Sequence, residues 1–198
     1  MNNKKKYPYP MDPMGELNKG IIECTECELS NLVVNRLQGK LLGSGLGNYL
    51  MFVGLNPSIY SKRKLWEDPY GKYFAKQLDF YGISKLHVYH TNLVKCSTKN
   101  NMELKEDYIT ACSQFLFEEI RLIEPRIIFA MGKQVIDFFD TQLHGCSIFR
   151  LPEEEDDFYV VAGLYHPSYL ARCYGNSLLE KQKDFMNYMI NGMDKFYK

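Results

Sequence analysis

The stretch MFVGLNPS, Met51 to Ser58, decides the fold. Apolar residues run up to Gly54, and a polar corner containing Asn56 and Pro57 follows almost at once. A short run of β-branched and aromatic residues predicts a buried strand, and the residue before a proline is biased away from helix. The stretch therefore predicts a strand over Leu50–Val53 that ends abruptly in a loop.

Other short apolar segments have the same character, and segments of helical periodicity lie between them. The predicted strands are Leu50–Val53, Leu86–His90, Ile127–Met131 and Phe158–Ala162. The predicted helices are Tyr73–Tyr81, Glu103–Ile123, Lys133–Phe139 and Ser177–Asn191. Strands that alternate with helices form parallel sheets covered on both faces. The sequence therefore predicts a three-layer α/β/α sandwich around a central four-stranded, mostly parallel sheet.

Length and composition predict one domain. The chain has 198 residues, of which 45% are hydrophobic and 24% charged, as is typical of a globular protein. The start, MNNKKKYPYPMDP, is basic but lacks the apolar core of a secretory signal. We expect residues 1–20 to form an extended arm and residues 21–198 a single domain. No apolar run is long enough to cross a bilayer, so we expect a cytoplasmic protein, and we expect it to be a monomer.

The net charge is zero, which does not favour a nucleic-acid partner. A local basic patch is nevertheless enough for such binding. The densest internal cationic run is SKRK, residues 61–64, which taken alone is typical of a solvated loop.

Polar residues follow three of the predicted strands at the points where they end. The stretches are GLNPS after the first strand, HTNLVKC at the end of the second and LYHPSYLAR after the fourth. Ligands of parallel sheets bind beyond the carboxyl ends of the strands. We therefore expect Asn56, Asn92 and His166 to face one crevice.

Four of the six cysteines have the pattern of a metal site. Cys24 and Cys27 form a C-x2-C pair, and folding can bring Cys96 and Cys112 to it. Four thiolates suit either tetrahedral zinc or a [4Fe-4S] cluster, and spacing does not choose between them. Simple burial also explains the second pair.

The order and spacing of several motifs resemble those of the family 4 uracil-DNA glycosylases, the iron–sulfur branch of the uracil-DNA glycosylase superfamily. The resemblance extends from Cys24 to Arg172. The motifs that carry it are CTECELSNLVVNR, GSGLGNYLMFVGLNPS, GKYF, VYHTNLVKC, IRLIEPRIIFAMGKQV and YHPSYLAR.

The resemblance implies a DNA repair enzyme that flips uracil out of DNA, hydrolyses its glycosidic bond and leaves an abasic site. It is monofunctional, because no lysine is required to form a Schiff base. It also implies that Cys24, Cys27, Cys96 and Cys112 hold a [4Fe-4S] cluster with a structural role.

The implied substrate residues line a pocket for one base. Phe74 would stack on uracil, beside Gly54 and Leu55, although aromatic residues at helical spacing are usually core. The Asn92 amide can accept from uracil N3–H and donate to O4, a pattern that cytosine reverses. Asn92 is also typical of a turn at a strand end.

Two residues would carry the chemistry. His166 would donate a hydrogen bond to uracil O2, where negative charge builds as the bond breaks. The simpler alternative for His166 is a buried ring bonded to a backbone carbonyl. Asn56 would orient the attacking water, because an amide has no useful pKa for acting as a base.

The remaining implied residues contact DNA. Leu170 would enter the gap left by the flipped base, although a lone surface leucine needs no explanation. The other residues would hold the DNA backbone, and they are Pro57, Ser58, Ser168 and Arg172.

The first motif departs from the family 4 pattern. That family usually has G-E-A-P-G, whereas Leu55, Asn56 and Ser58 stand here at the second, third and fifth positions. The Asn form is similar to the G-x-N-P motif of the mismatch-specific and single-strand-selective branches. Alternatives are therefore a glycosylase for another damaged or hypermodified base, for example in phage DNA, and a catalytically weak module that binds uracil or DNA. An iron–sulfur electron carrier is a further alternative.

Overall fold

The structure is a computed structural model. It describes residues 12–32, 36–37, 39–42, 49–59, 69–98, 104–152, 157–173 and 177–193. The basic run at residues 61–64 and residues 1–11 of the expected arm lie outside the described residues.

Strands and helices alternate along most of the described chain. The strands are β1 (Lys40–Leu41), β2 (Leu50–Gly54), β3 (Val88–Asn92), β4 (Ile127–Met131), β5 (Cys146–Arg150) and β6 (Phe158–Leu164). The helices are α1 (Pro13–Glu23), α2 (Leu29–Leu32), α3 (Pro69–Tyr81), α4 (Glu106–Ile123), α5 (Lys133–Phe138), α6 (Pro167–Leu170) and α7 (Ser177–Met193).

The described strands form one sheet with the order β1-β3-β2-β4-β6-β5. The four central strands are parallel, and they correspond to the four predicted strands. The antiparallel edge strands β1 and β5 were not predicted. The first is only two residues long, and the second alternates between exposed and half-buried residues, so neither has the continuous apolar run that marks a buried parallel strand.

Each face of the sheet is covered by helices, which confirms the predicted three layers. One face packs Phe52 and Phe129 against α3 and α7. The opposite face packs Met51 and Ile128 against α4 and α5. Because successive strand residues point to opposite faces, both sides of the central strands are buried.

Residues 13–20 are helical, in contrast to the extended arm expected there. Helix α1 begins with Pro13, which suits a first helical position. The Asp12 side chain accepts a hydrogen bond from Gly15 N–H at 2.9 Å and caps the helix. The lysine and proline composition of the first residues concealed this start signal.

The other boundaries differ by a few residues. Strand β3 begins at Val88 and not Leu86, because Lys85–His87 form a 3-10 turn capped by the Ser84 side chain. Among the described residues, no helix is both long and apolar enough to cross a membrane.

Candidate active site

The carboxyl ends of β3, β2, β4 and β6 lie along one edge of the sheet, because these four strands are parallel neighbours. Asn92 ends β3 and pairs in register with Gly54, which ends β2. His166 follows β6 by two residues and begins α6, a helix that packs against α3. The predicted polar residues are therefore at the same edge.

Gly54 leaves the space that the Asn92 side chain uses. A Cβ atom at Gly54 would lie 2.7 Å from Asn92 Oδ1, closer than any real side-chain contact of this kind. Beyond the strand ends, Leu93 N–H donates to Gly54 O and Val94 N–H to Leu55 O, both at 2.8 Å. These bonds hold the two strand ends together, and Asn92 is only 6% exposed.

Phe74 packs on the strand residues that precede this pair. Its ring contacts the rings of Phe52 and His90 with centroids 5.2 Å apart in both cases, and the side chain is 5% exposed. Core packing, the simpler expectation, is thus what Phe74 does in this structure. Phe52 and His90 precede Gly54 and Asn92 by two residues, so all four lie on the α3 side of the sheet. Phe74 therefore packs immediately below the strand ends.

The hydrogen bonds of His166 define which of its two ring nitrogens carries the proton. It is the N-cap of α6, and Ser168 N–H donates to its Nδ1 at 3.2 Å, with the Ser168 hydroxyl 2.8 Å from the same atom. Burial, and secondarily the Arg172 charge, lower the pKa of His166 to about 4. The ring is therefore neutral at pH 7, and because Nδ1 accepts, its proton is on Nε2.

Gly132 supports the histidine from the end of the adjacent strand β4. Its φ of +90° is a conformation that favours glycine. A Cβ here would lie 3.4 Å from His166 Cβ, so the two backbones approach closely. His166 is thereby placed over the β4 end as well as its own strand.

Asn56 is fixed by a residue from the next loop. Its Nδ2 donates to Thr98 Oγ1 at 3.1 Å, which orients the amide and leaves Oδ1 as its acceptor. Pro57 is buried, whereas Leu55 and Ser58 are half-buried. The corner is therefore anchored to the segment that follows β3.

The residues expected to contact DNA differ in how exposed they are. Arg172 is exposed, and Ser168 is half-buried with its N–H used by the His166 cap. Leu170 is 5% exposed, so it does not project as an intercalating wedge must. The neighbouring Tyr169 is 44% exposed and stacks on Tyr165 with centroids 5.2 Å apart.

The four predicted cysteine ligands line one small cavity that is partly open to solvent. All four are free thiols. Burial raises the pKa of Cys96, opposed by nearby Arg36, and raises the pKa of Cys112 to about 11. Lys95 N–H donates to Cys112 Sγ at 3.2 Å. In the described part of the chain, no three His, Cys, Asp or Glu side chains are grouped closely enough for a single metal ion.

Four thiols that line one cavity are a donor set for a zinc ion or for an iron–sulfur cluster. Four thiolates around one zinc ion would be about 3.8 Å apart, given zinc–sulfur bonds of about 2.3 Å, and a cluster with several irons needs a wider set. Arg36 links the two cysteine pairs, because it donates to the carbonyls of Ile22 and Ser30 and bridges to Cys96 in an antiparallel pair.

Several site residues were missed in the sequence. Thr98 and Gly132 have no distinctive motif beyond their places after a strand, and Tyr169 is an ordinary aromatic residue in its motif. Lys95 and Glu119 form a buried ion pair. In the sequence, the only signal for that pair was the position of Lys95 between Val94 and Cys96. The structure shows that both of these neighbours are buried.

The fold and the polar residues along the carboxyl edge of the parallel sheet define an α/β sandwich with a candidate ligand site at the strand ends. A family model described as the uracil DNA glycosylase superfamily matches residues 44–191. The match covers more than half of the chain, and the chain therefore belongs to this superfamily.

Curated relatives are named Type-4 uracil-DNA glycosylases. The chain is 27% identical over 172 residues to the protein of Sulfurisphaera tokodaii, covering 80% of this chain and 76% of the relative. It is 28% identical over 186 residues to that of Thermotoga maritima, covering 86% and 93%. The protein of Saccharolobus solfataricus is 31% identical over 126 residues, covering 62% and 57%.

Proposed function

We propose that this protein is a monofunctional DNA glycosylase that flips uracil out of DNA and hydrolyses its glycosidic bond. The observation that carries the proposal is His166, whose Nδ1 accepts from Ser168 N–H and whose pKa is lowered to about 4. A neutral imidazole with a defined Nε2–H is a donor that needs no rearrangement as charge develops on the base. The names of the relatives support uracil as that base.

Recognition of the base would depend on Asn92. Its amide accepts from uracil N3–H and donates to O4, and the strand-end hydrogen bonds at Gly54 and Leu55 hold it in place. Phe74 packs on His90, two residues before Asn92 on the same face of the sheet, and is our candidate for the apolar wall that a flipped base needs. We assign base binding to Gly54, Leu55, Phe74 and Asn92.

Hydrolysis then needs an oriented water. The Asn56 Nδ2–H bond to Thr98 leaves the amide oxygen to accept from water at the sugar C1′. As the bond from C1′ to base N1 breaks, the electron pair leaves with the base and is stabilised through the hydrogen bond from His166 to O2. The water oxygen bonds to C1′ and releases one proton to solvent, and the base anion takes up one proton from solvent.

DNA binding would use the loops at the same edge. Pro57, Ser58, Ser168 and Arg172 are the candidates for backbone contacts. The exposed Tyr169 replaces buried Leu170 as our candidate for filling the space left by the flipped base. We expect the protein to act as a monomer in the cytoplasm.

The four cysteines Cys24, Cys27, Cys96 and Cys112 would hold a [4Fe-4S] cluster. When bound, the cluster supplies four iron–sulfur bonds that cross-link the segment after α1 to α4 and to the loop after β3. The shared cavity and the close approach of Arg36 to Cys96 support this assignment. Iron and acid-labile sulfide in the purified protein, with no zinc, would distinguish it from a zinc site.

The function is tested by incubating the purified protein with strands containing uracil, hypoxanthine, thymine or a hypermodified base, followed by alkaline cleavage of abasic sites. We expect cleavage at uracil, and no strand cleavage before alkali. Release of only a modified base would overturn uracil as the substrate. Tight DNA binding without release of any base would overturn the enzymatic proposal.

The role of Asn56 is tested in the same assay under single-turnover conditions. We expect Asn56→Ala to lower the rate strongly and Thr98→Val to lower it less, because Thr98 only orients the amide. Unchanged rates in both variants would reject the proposed water position.

A further inference from the structure

Lys95 and Glu119 form an ion pair that is buried inside the domain, where an ion pair adds little to the stability of the fold. Lys95 is 1% and Glu119 0% exposed, and Lys95 Nζ lies 2.7 Å from Glu119 Oε2. Removing two charges from water is expensive, and an apolar pair of similar volume is often equally stable. The pair therefore calls for an explanation other than stability.

Every donor and acceptor of the pair is used. Lys95 Nζ also donates to Thr91 Oγ1 at 2.8 Å and to the main-chain carbonyl of Asn92 at 2.6 Å. Glu119 accepts from Gly39 N–H at 2.8 Å and from the Thr91 hydroxyl at 2.6 Å. A buried network in which all groups are satisfied is rigid and has a single geometry.

The network holds the last two residues of β3. The Lys95 ammonium binds the side chain of Thr91 and the backbone of Asn92, while Glu119 fixes that ammonium to α4. The same helix carries Cys112, whose sulfur accepts from Lys95 N–H at 3.2 Å. Helix α4 therefore holds this strand end at two points.

We propose that Lys95 and Glu119 are positioning residues that fix the strand end so that the Asn92 amide keeps one orientation. This inference rests on the proposed function, because the orientation of that amide separates uracil from cytosine. The pair neither contacts the base nor takes part in bond cleavage. It sets selectivity by preventing displacement of the strand end that carries the group that reads the base.

The test compares Lys95→Met, the double variant Lys95→Met/Glu119→Leu and the control Lys133→Met. Lys133 forms an exposed ion pair with Asp137 on α5. The single variant leaves Glu119 buried without its partner and is expected to unfold more easily. The double variant replaces both charges with apolar groups, so its stability and iron content should be close to those of the wild type.

In the double variant we expect single-turnover uracil release to fall roughly 10- to 100-fold, the scale of an ångström-sized displacement in a site. Affinity for normal duplex DNA should change less than about twofold, because the backbone contacts are elsewhere. Strands with 2′-fluoro-substituted uridine or cytidine, whose glycosidic bonds resist cleavage, provide a second readout. Preference for the uracil strand over the cytosine strand should shrink by a similar factor, and Lys133→Met should match the wild type in every assay.

A double variant that releases uracil at the wild-type rate with wild-type base preference would overturn the inference. A parallel loss of normal DNA affinity and uracil release would also overturn it, because that would mean a general effect on the domain. If the wild type released no uracil, the proposed function itself would fail, and the 2′-fluoro binding comparison would still decide whether the pair affects base preference.

Discussion

At the residue scale, the site depends on glycines that make room for functional side chains. Gly54 and Gly132 stand at the ends of neighbouring parallel strands, and each is in contact range of a proposed site residue, Asn92 or His166. A Cβ at Gly54 would lie 2.7 Å from Asn92 Oδ1, and Gly132 has a φ of +90° and would place a Cβ 3.4 Å from His166 Cβ. We therefore expect a substitution at Gly54 to affect the site through Asn92, and a substitution at Gly132 to affect it through His166.

The substitution Gly54→Ala should displace the Asn92 amide, because the new Cβ would be 2.7 Å from Oδ1. We expect uracil release to fall about 100-fold under single-turnover conditions. Gly192→Ala on α7 is the matched control, since no atom lies within 4 Å of the added Cβ, and it should leave the rate unchanged. Equal rates for both variants would contradict the proposed role of Asn92.

The pH dependence should report the lowered pKa of His166, about 4. Between pH 6 and 9 the rate should show no inflection from this ring, because it is already neutral. In the unfolded chain the pKa of a histidine is about 6.5. As the pH is lowered, the unfolded state therefore binds the extra proton at a higher pH than the folded state does. Stability should therefore fall as the pH is lowered from 6.5 towards 4.

Denaturant unfolding and single-turnover rates across this pH range provide the measurement. His166→Gln should remove the corresponding part of the stability change and lower the rate at pH 7 by about 100- to 1,000-fold, as loss of one donor to a developing anion does. A rate inflection near pH 6.5 in the wild type that disappears in His166→Gln would contradict a neutral ring.

At the element scale, the four central strands could be predicted because each contains consecutive β-branched, aliphatic or aromatic residues and is largely buried. The edge strands could not, because β5 presents only alternate residues to the interior and β1 is too short for a pattern. The polar residues at the strand ends were also predictable, since parallel strands share an edge. Their exact partners, such as Thr98 for Asn56, depend on loop geometry that spacing does not encode.

In helix α6, the sequence did not predict which side chain is exposed. Its motif predicted an exposed Leu170, but this short helix turns the leucine inward and Tyr169 outward. Tyr169→Ala should weaken binding to an abasic-site duplex about tenfold, in line with base stacking of about 1–3 kcal/mol. Leu170→Ala should instead destabilise the fold by about 2–5 kcal/mol, as removal of a buried leucine does.

Abasic-duplex binding and denaturant unfolding of both variants separate these effects. If Leu170→Ala weakened DNA binding at full stability while Tyr169→Ala had no effect, the leucine would be the inserted residue after all.

At the scale of the whole molecule, the cysteine cavity joins parts that are distant in sequence. It brings together the loop after α1, the loop after β3 and the middle of α4. Removing iron by chelation, or making Cys112→Ser, should lower the thermal midpoint by about 10 °C, which corresponds to about 3 kcal/mol for a chain of this size. Limited proteolysis should then cut near α1 before it reaches the sheet.

Cys146→Ser is the control, because Cys146 is exposed on β5 and lies outside the cavity. It should retain iron and the wild-type thermal midpoint. If Cys112→Ser kept its full iron content and stability, the four-cysteine assignment would be wrong.

The cap on His166 also bears on how protons move during turnover. The ring is neutral at pH 7 and its Nδ1 accepts from Ser168, so the one ring proton stays on Nε2 as a hydrogen-bond donor that is too weak an acid to be transferred. The departing base must leave as an anion and pick up hydrogen only afterwards. Bond cleavage in heavy water should consequently proceed at nearly the rate seen in ordinary water.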